Sequence, residues 1–443
     1  MRAVYAVIGA GPMGLATARA LQRAGLDFTV FESHRDVGGL WDITNPQSTV
    51  YESAHLISSK RMTEFAEFPM RDAVAPFPRH GEMREYFAAY ADHFGLRPQI
   101  EFGTRVVRVT PDGDRWRVEV ERDGVRDTRR FAGVLIASGT LHHQHRPALP
   151  GVFAGRVMHS AEYKTADLFA GQRVLIVGCG NSGADIAVDA VHHAASVDLS
   201  VRRGYWFVPK FVRGRPADSL GGRIRLPRRI KQFVEGLLIR LLVGRPSDFG
   251  LPDPDHLLYE SHVVVNSLVL HHLGHGDIRA RPDLQRVEGN RVTFTDGTSG
   301  EYDLILQATG YTLDYPFIDR SALNWAPERA APELYLNAFH PESDSLFMMG
   351  MIEAAGLGWE GRAEQARLVA AYIRGLAAGT ASARELKQRK RTHAAERLDG
   401  GYRYLKLDRM AYYVHKDSYR STVKRLTATL ERDSAVAGER ATR

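Results

Sequence analysis

The sequence predicts an α/β fold in which one strand–glycine turn–helix–strand unit occurs twice. Three observations carry this. The unit opens the chain, it recurs near the middle, and β-rich stretches fill the gaps. A length of 443 residues suits two or three domains. Hydrophobic residues at 44% and charged residues at 25% are ordinary for a packed globular chain, which excludes a disordered or collagen-like one.

Residues 3–8 are short, apolar and β-branched, the signature of a buried parallel strand. Gly9-Ala10-Gly11-Pro12-Met13-Gly14 follows at once. Residues 15–21 have helical spacing and stop near Gly25. Residues 28–31 form a second strand, which closes on Glu32 and Ser33. The second unit repeats the order. Residues 173–177 are a strand, Gly178-Cys179-Gly180-Asn181-Ser182-Gly183 a turn, residues 184–191 a helix, and residues 197–201 a strand that runs into Arg202-Arg203. Between the units, 106–121 and 131–137 read as β. Beyond the second, strands at 291–294 and 304–306 lead into Ala308-Thr309-Gly310-Tyr311. Residues 364–376 should be helical, 384–397 are densely charged, and the last ten should fray.

Composition sets further bounds. The single cysteine, Cys179, permits neither an intrachain disulfide nor a redox CxxC pair, so an oxidising compartment is not indicated. The formal charge is +7. Nine of the 59 basic residues are lysine, leaving fifty arginines, a skew that codon usage explains as well as chemistry does. No run of eighteen apolar residues occurs, so no membrane span is expected. Regular pattern begins at residue 3, which leaves no room for a presequence, and a cytoplasmic protein is the expectation.

Each glycine turn sits between a strand and a helix, which is the dinucleotide-binding, Rossmann-like arrangement. Missing Cβ atoms let a pyrophosphate approach the backbone, and the helix N-terminus offers free N–H groups and partial positive charge. The residue after the second strand separates the ligands. Glu32 accepts from ribose hydroxyls and repels a 2′-phosphate, which suits FAD or NAD. Gly38-Gly39, followed by Leu40-Trp41, allows a second close backbone approach to a longer cofactor, so the first unit should take FAD. Arg202 and Arg203 favour a 2′-phosphate, so the second should take NADPH. The expected cofactor-binding set is Gly9, Gly11, Pro12, Met13, Gly14, Glu32, Ser33, Gly39, Leu40 and Trp41 for one nucleotide, and Gly178, Gly180, Asn181, Ser182, Gly183, Arg202 and Arg203 for the other.

These residues resemble those of the flavin-containing monooxygenases, class B flavoprotein monooxygenases. Residues 153–163, from Phe153 through Gly155 and His159 to Tyr163, fit the family pattern F-x-G-x-x-x-H-x-x-x-[YF] at every fixed position. Ala308-Thr309-Gly310-Tyr311 is similar to the family's domain-linking A-T-G-[YF], and Gln365 matches the Gln of a flavin-contacting segment. The resemblance runs from about residue 3 to about residue 375. It implies an NADPH-binding domain, 165–308, inserted into a discontinuous FAD-binding domain, 1–164 plus 309–443. It also implies an NADPH- and O2-dependent monooxygenase that oxygenates a small soft nucleophile, an amine nitrogen or sulfide sulfur, through a C4a-(hydro)peroxyflavin. A homodimer is common among such relatives. The substrate cleft should be lined by the 50s segment and parts of 311–320 and 350–360.

Baeyer–Villiger oxygenation of a ketone is the alternative, although the fingerprint ends in Tyr163 where such enzymes typically have Trp. A weakly coupled NADPH oxidase and a nucleotide-binding regulator without turnover are further readings. Thioredoxin reductase-like enzymes need two cysteines. The stretch from Tyr51 to Pro69 matches the family except at Ile57, where many members carry an Asn that contacts flavin and NADP⁺. Ile57 offers no hydrogen bond, so either Ser58 and Ser59 substitute for it, or the oxygenating intermediate is shorter lived, or the substrate geometry differs. These three residues are the expected catalytic group.

His142, His143 and His145 lack the carboxylate or Cys partners of a metal site and read as a loop beside the cofactor, so no metal is expected. The resemblance implies that His159 couples the domains and does not transfer a proton. Ten basic residues and one acid lie from Arg202 to Lys231. They lack aromatic interleaving, and nucleic acid is a poor reading. Ile230, Phe233, Val234, Leu237, Leu238, Leu241 and Leu242 then form one stripe of an amphipathic helix. It should pack on its own domain or on a dimer mate; peripheral contact with a membrane surface is the other reading.

Overall fold

Two parallel five-stranded sheets organise the chain, because its shortest and most apolar β segments can be buried only on both faces. The computed structural model describes residues 3–220 and 227–441. The first sheet runs in the spatial order Leu346–Met348, Gly133–Ile136, Val4–Ile8, Asp27–Phe31, Ile100–Glu101. Ile8 pairs with Phe31 on one side and with Ile136 on the other. Alternate residues feed different layers. Val7 packs beneath the helices Pro12–Arg23 and Gly358–Ala377, while Ala6 and Ile8 face Trp116 and Val118 of a three-stranded antiparallel sheet.

The second sheet repeats the plan in the order Arg156–His159, Leu304–Gln307, Arg173–Val177, Ser196–Ser200, Ile278–Arg281. Helices Asn181–Val191 and Leu268–His275 cover one face. A small β layer containing Val287, Val292 and Phe294 covers the other. Every strand of this sheet lies between Ile136 and Leu346, so it interrupts the first sheet in sequence.

Three expectations need correction. The C-terminal segment does not fray as expected through 441, since a helix spans Lys416–Ala441; 442–443 lie outside the described residues. Tyr419, Val423 and Leu430 are buried against the Gly358–Ala377 helix, and Arg420 pairs with Glu364. The Gly358–Ala377 helix itself begins six residues before the expected 364. The amphipathic helix forms at Arg228–Val243, but its apolar stripe faces outward. The inward face carries Gln232, which donates to the Leu258 carbonyl, and Gly236, which lies against the Trp206 ring. Part of the basic stretch before it, 221–226, lies outside the described residues. No helix among the described residues is long and apolar enough to cross a membrane.

Candidate active site

The two glycine turns are built alike, atom for atom. Gly9 (φ +100°) donates to the Phe31 carbonyl, and Gly178 (φ +102°) donates to the Ser200 carbonyl. A Cβ on Gly9 would lie 2.8 Å from the Ala137 carbonyl oxygen; on Gly178 it would lie 2.7 Å from that of Ala308. Gly14 and Gly183 close each turn, since their Cβ atoms would sit 1.9 and 2.0 Å from the Gly9 and Gly178 oxygens. The middle glycines, Gly11 and Gly180, are the N-caps of helices Pro12–Arg23 and Asn181–Val191, and no side chain caps either helix. A Cβ on Gly180 would meet nothing within 4 Å. A Cβ on Gly11 would lie 3.6 Å from the Gly39 Cα, so the second glycine pair closes over the first turn.

Both turns open on one cavity of about 2540 Å³. Gly9, Gly11, Pro12 and Met13 line it from one side, and Gly180, Asn181, Ser182 and Gly183 from the other. Gly39, Leu40 and Trp41 also face it, as do Ala308, Thr309, Gly310 and Tyr311. Gly14 and Gly178 do not line it. Two features suit a dinucleotide. Uncapped N–H groups point from two helix ends into one space. The Ser138 hydroxyl, on the strand end beside Gly9, is shielded without a partner and faces the cavity wall.

Glu32 is buried at the cavity edge. It accepts from the Ala10 N–H at 2.6 Å, from the His34 N–H at 2.8 Å and from the Ser33 hydroxyl at 3.3 Å. A carboxylate has lone pairs beyond these three for ribose hydroxyls. The matching hydrogen bonds align Phe31 with Ser200, and therefore Glu32 with Val201. Arg202 thus corresponds to Ser33, one residue beyond the place that counting from the end of the expected strand gave it. Val201 is buried and apolar, so the first polar group to reach the cavity there is the exposed Arg202. Arg203 is exposed but is not part of the wall. Neither arginine forms an ion pair among the described residues.

Ile57 presents its hydrocarbon to the cavity. Ser58 lines it too, but its hydroxyl is held at 2.6 Å by Thr63, which in turn donates to the Ser59 carbonyl. Ser59 is buried outside the wall, and its N–H donates to Asp218 at 2.6 Å. The 50s segment reaches across to the second unit. Tyr51 donates to Asp185, and Ser53 and Tyr163 both donate to Asp189. Burial, reinforced by the nearby carboxylates, holds the Tyr51 and Tyr163 hydroxyls well above their usual pKa.

His159 is fully buried. Its Nδ1 accepts from the Ala161 N–H, so Nε2 carries the proton and donates to the Gly310 carbonyl at 3.0 Å. Burial lowers its pKa, which fits a neutral link between the second sheet and the 308–311 segment. Gln365 is a correction. It lies behind the cavity wall, fully buried, with its oxygen accepting from Gly350 N–H and its nitrogen donating to Leu336 O and the Tyr419 hydroxyl. It therefore positions Gly350, which abuts Met13, and does not line the cavity. No cluster of His, Cys, Asp and Glu among the described residues could hold a metal.

The expected 311–320 and 350–360 segments do line the cleft, through Thr312, Pro316, Phe317, Glu353 and Trp359 among others. Two walls had no sequence signal. One is the strap of 400–417, which is tied to the second unit by Leu405 N–H donating to Glu260 O. The other is His262 with Asn181. Asn181 Nδ2 donates to His262 Nε2 at 2.5 Å, its oxygen accepts from the Val265 N–H, and Tyr413 contacts His262 Nδ1 at 3.3 Å. Burial, with the positive charge of Arg409, pushes His262 down to about 3, so it stays neutral. Cys179 is buried and pushed up to about 12, which makes it chemically inert.

A family model described as flavin-binding monooxygenase-like matches residues 2–425. Flavin-containing monooxygenase 5 of Oryctolagus cuniculus is 31% identical over 399 residues, covering 84% of this chain and 73% of that protein. Flavin-containing monooxygenase 2 of Homo sapiens is 32% identical over 396 residues, with the same coverage. Among solved structures, a flavin-containing monooxygenase from Stenotrophomonas maltophilia is 25% identical with a TM-score of 0.64, covering 85% of this chain and 100% of that one. A cyclohexanone monooxygenase in its open form is similar in fold alone, with a TM-score of 0.71 at 19% identity over 98% of this chain and 99% of that one.

Proposed function

The chain belongs to the flavin-binding monooxygenase-like family, and from that premise we propose that it is an NADPH- and O2-dependent enzyme that oxygenates the nitrogen or sulfur of a small soft nucleophile. The observation that carries this is that both glycine turns open on the same cavity, with a carboxylate at one and a guanidinium at the other. FAD and NADPH are the cofactors of this family, and when bound they supply hydride transfer and the activation of oxygen.

The chain's own residues would act as follows. Gly9, Gly11, Pro12, Met13 and Gly14 shape the site for the flavin pyrophosphate, with Glu32 and Ser33 at the ribose and Gly39, Leu40 and Trp41 closing over it. Gly178, Gly180, Asn181, Ser182 and Gly183 shape the second pyrophosphate site, and Arg202, with Arg203 behind it, selects the 2′-phosphate. Ala308, Thr309, Gly310 and Tyr311 line the passage between the nucleotides. Ile57 and Ser58 face the reacting region. The domain division at 164/165 and 308/309 belongs to the same proposal, the outer strand Arg156–His159 being contributed across the seam. So do a cytoplasmic location and a homodimer.

A screen of amines, sulfides and ketones by mass shift, with hydrogen peroxide measured alongside, tests this reading. N- or S-oxide formed with NADPH consumption supports it; lactone or ester from ketones alone overturns it. Ile57 favours one second reading. Because it presents only hydrocarbon where relatives have an amide, part of the NADPH consumed should yield hydrogen peroxide instead of product.

A further inference from the structure

The helix Arg228–Val243 is amphipathic the wrong way round for a helix packed only on its own domain. The residues it turns to the protein are polar or small. Gln232 and Gly236 are buried, and Glu235, its one acid, is turned onto the Tyr259 hydroxyl. Ile230, Phe233, Leu237, Leu238, Leu241 and Leu242 are each at least half exposed, with Phe233 at 71% and Leu241 at 75%. A contiguous apolar stripe of this size on a water-facing surface marks a contact site. Basic groups frame it. Arg229 at its start and Arg245 just beyond its end are exposed and form no ion pair among the described residues. Arg240 lies over the Trp206 ring and leaves its charge at the surface.

We propose that this helix seats the enzyme on an anionic lipid surface, lying in the plane of the interface with its apolar stripe in the acyl boundary. An apolar face rimmed by arginines matches such a surface in both polarity and charge. A second copy of the chain matches it less well, because a two-fold contact would bring the same arginines face to face. Leu238, Leu241 and Leu242 also line the mouth of the large cavity, so the lipid-facing surface is continuous with the cleft.

The test is co-sedimentation of the flavin-loaded full chain with vesicles, either of phosphatidylcholine alone or of equal parts phosphatidylcholine and phosphatidylglycerol. The double variant Phe233→Glu/Leu237→Glu is run in parallel; neither residue lines the cavity. The expected result is binding to the anionic vesicles that weakens with salt, little binding to the neutral ones, and at least tenfold weaker binding of the variant at unchanged melting temperature and flavin content. Three results would overturn the proposal: no binding of the wild type at low salt, equal binding by the variant, or a wild-type dimer that the variant converts to monomer without any vesicle binding.

Discussion

Replacing Gly178 and Gly180 separately by alanine separates the fold of the second glycine turn from its ligand. At Gly178 the backbone has φ +102°, and a Cβ would lie 2.7 Å from the Ala308 oxygen. The left-handed region costs alanine about 1–2 kcal/mol. Relieving a contact against backbone costs roughly 1–3 kcal/mol more. At about 2–4 °C per kcal/mol for a domain-sized unit, the Gly178→Ala melting temperature should fall by roughly 4–20 °C. At Gly180 the backbone has φ −75° and a Cβ meets nothing within 4 Å. Gly180→Ala should therefore melt within about 2 °C of the wild type. Its methyl group projects into the space reserved for the pyrophosphate, at a cost of about 1–3 kcal/mol, or roughly 5–150-fold in affinity. Thermal melts together with calorimetric titration of NADP⁺ measure both. If Gly180→Ala binds NADP⁺ like the wild type, or Gly178→Ala melts like it, the reasoning fails.

Arg202→Ala should weaken NADPH binding about tenfold and leave NADH unchanged, since an exposed charge-assisted contact is worth about 1.5 kcal/mol, the low end of its range; equal effects on the two nucleotides would remove the 2′-phosphate assignment. Ile57→Asn should lower the hydrogen peroxide formed per NADPH consumed, and an unchanged ratio would show that the side chain does not govern coupling. Acid should destabilise the fold. Burial lowers the pKa of His80, His159, His262, His340 and His415 from 6.5, and His262 falls to about 3. The unfolded chain therefore takes up protons first, so stability is full above pH 6.5 and is lost as pH falls from there towards the folded values. Melting temperature should drop steadily from pH 7 to about pH 4, and less steeply in His262→Asn; a flat profile would contradict this.

Both glycine turns were legible because their chemistry is local. Gly9 and Gly14, like Gly178 and Gly183, lie within one turn of each other and admit no other side chain. The strands at 291–294 and 304–306 were legible for a similar reason: Val292 and Phe294 alternate inward from one, and the other is apolar and buried on both faces. What the sequence hid depends on contacts between distant residues. Gln365 matched a pattern, yet its helix turns it toward Leu336, Gly350 and Tyr419 and away from the cleft. The 400–417 wall is placed by hydrogen bonds such as Leu405 to Glu260 and Tyr413 to His262, across some 150 residues. The stripe of the Arg228–Val243 helix was visible in the sequence, but its direction was not, because the small Gly236 rather than a leucine fits against Trp206.

The most direct test is anaerobic titration of the flavin-loaded chain with NADPH, followed by the flavin's visible absorbance. One flavin per chain should bleach stoichiometrically with NADPH and much more slowly with NADH. A colourless chain that takes up neither nucleotide, or a flavin that stays oxidised while NADPH is bound, would contradict two dinucleotides meeting in one cavity.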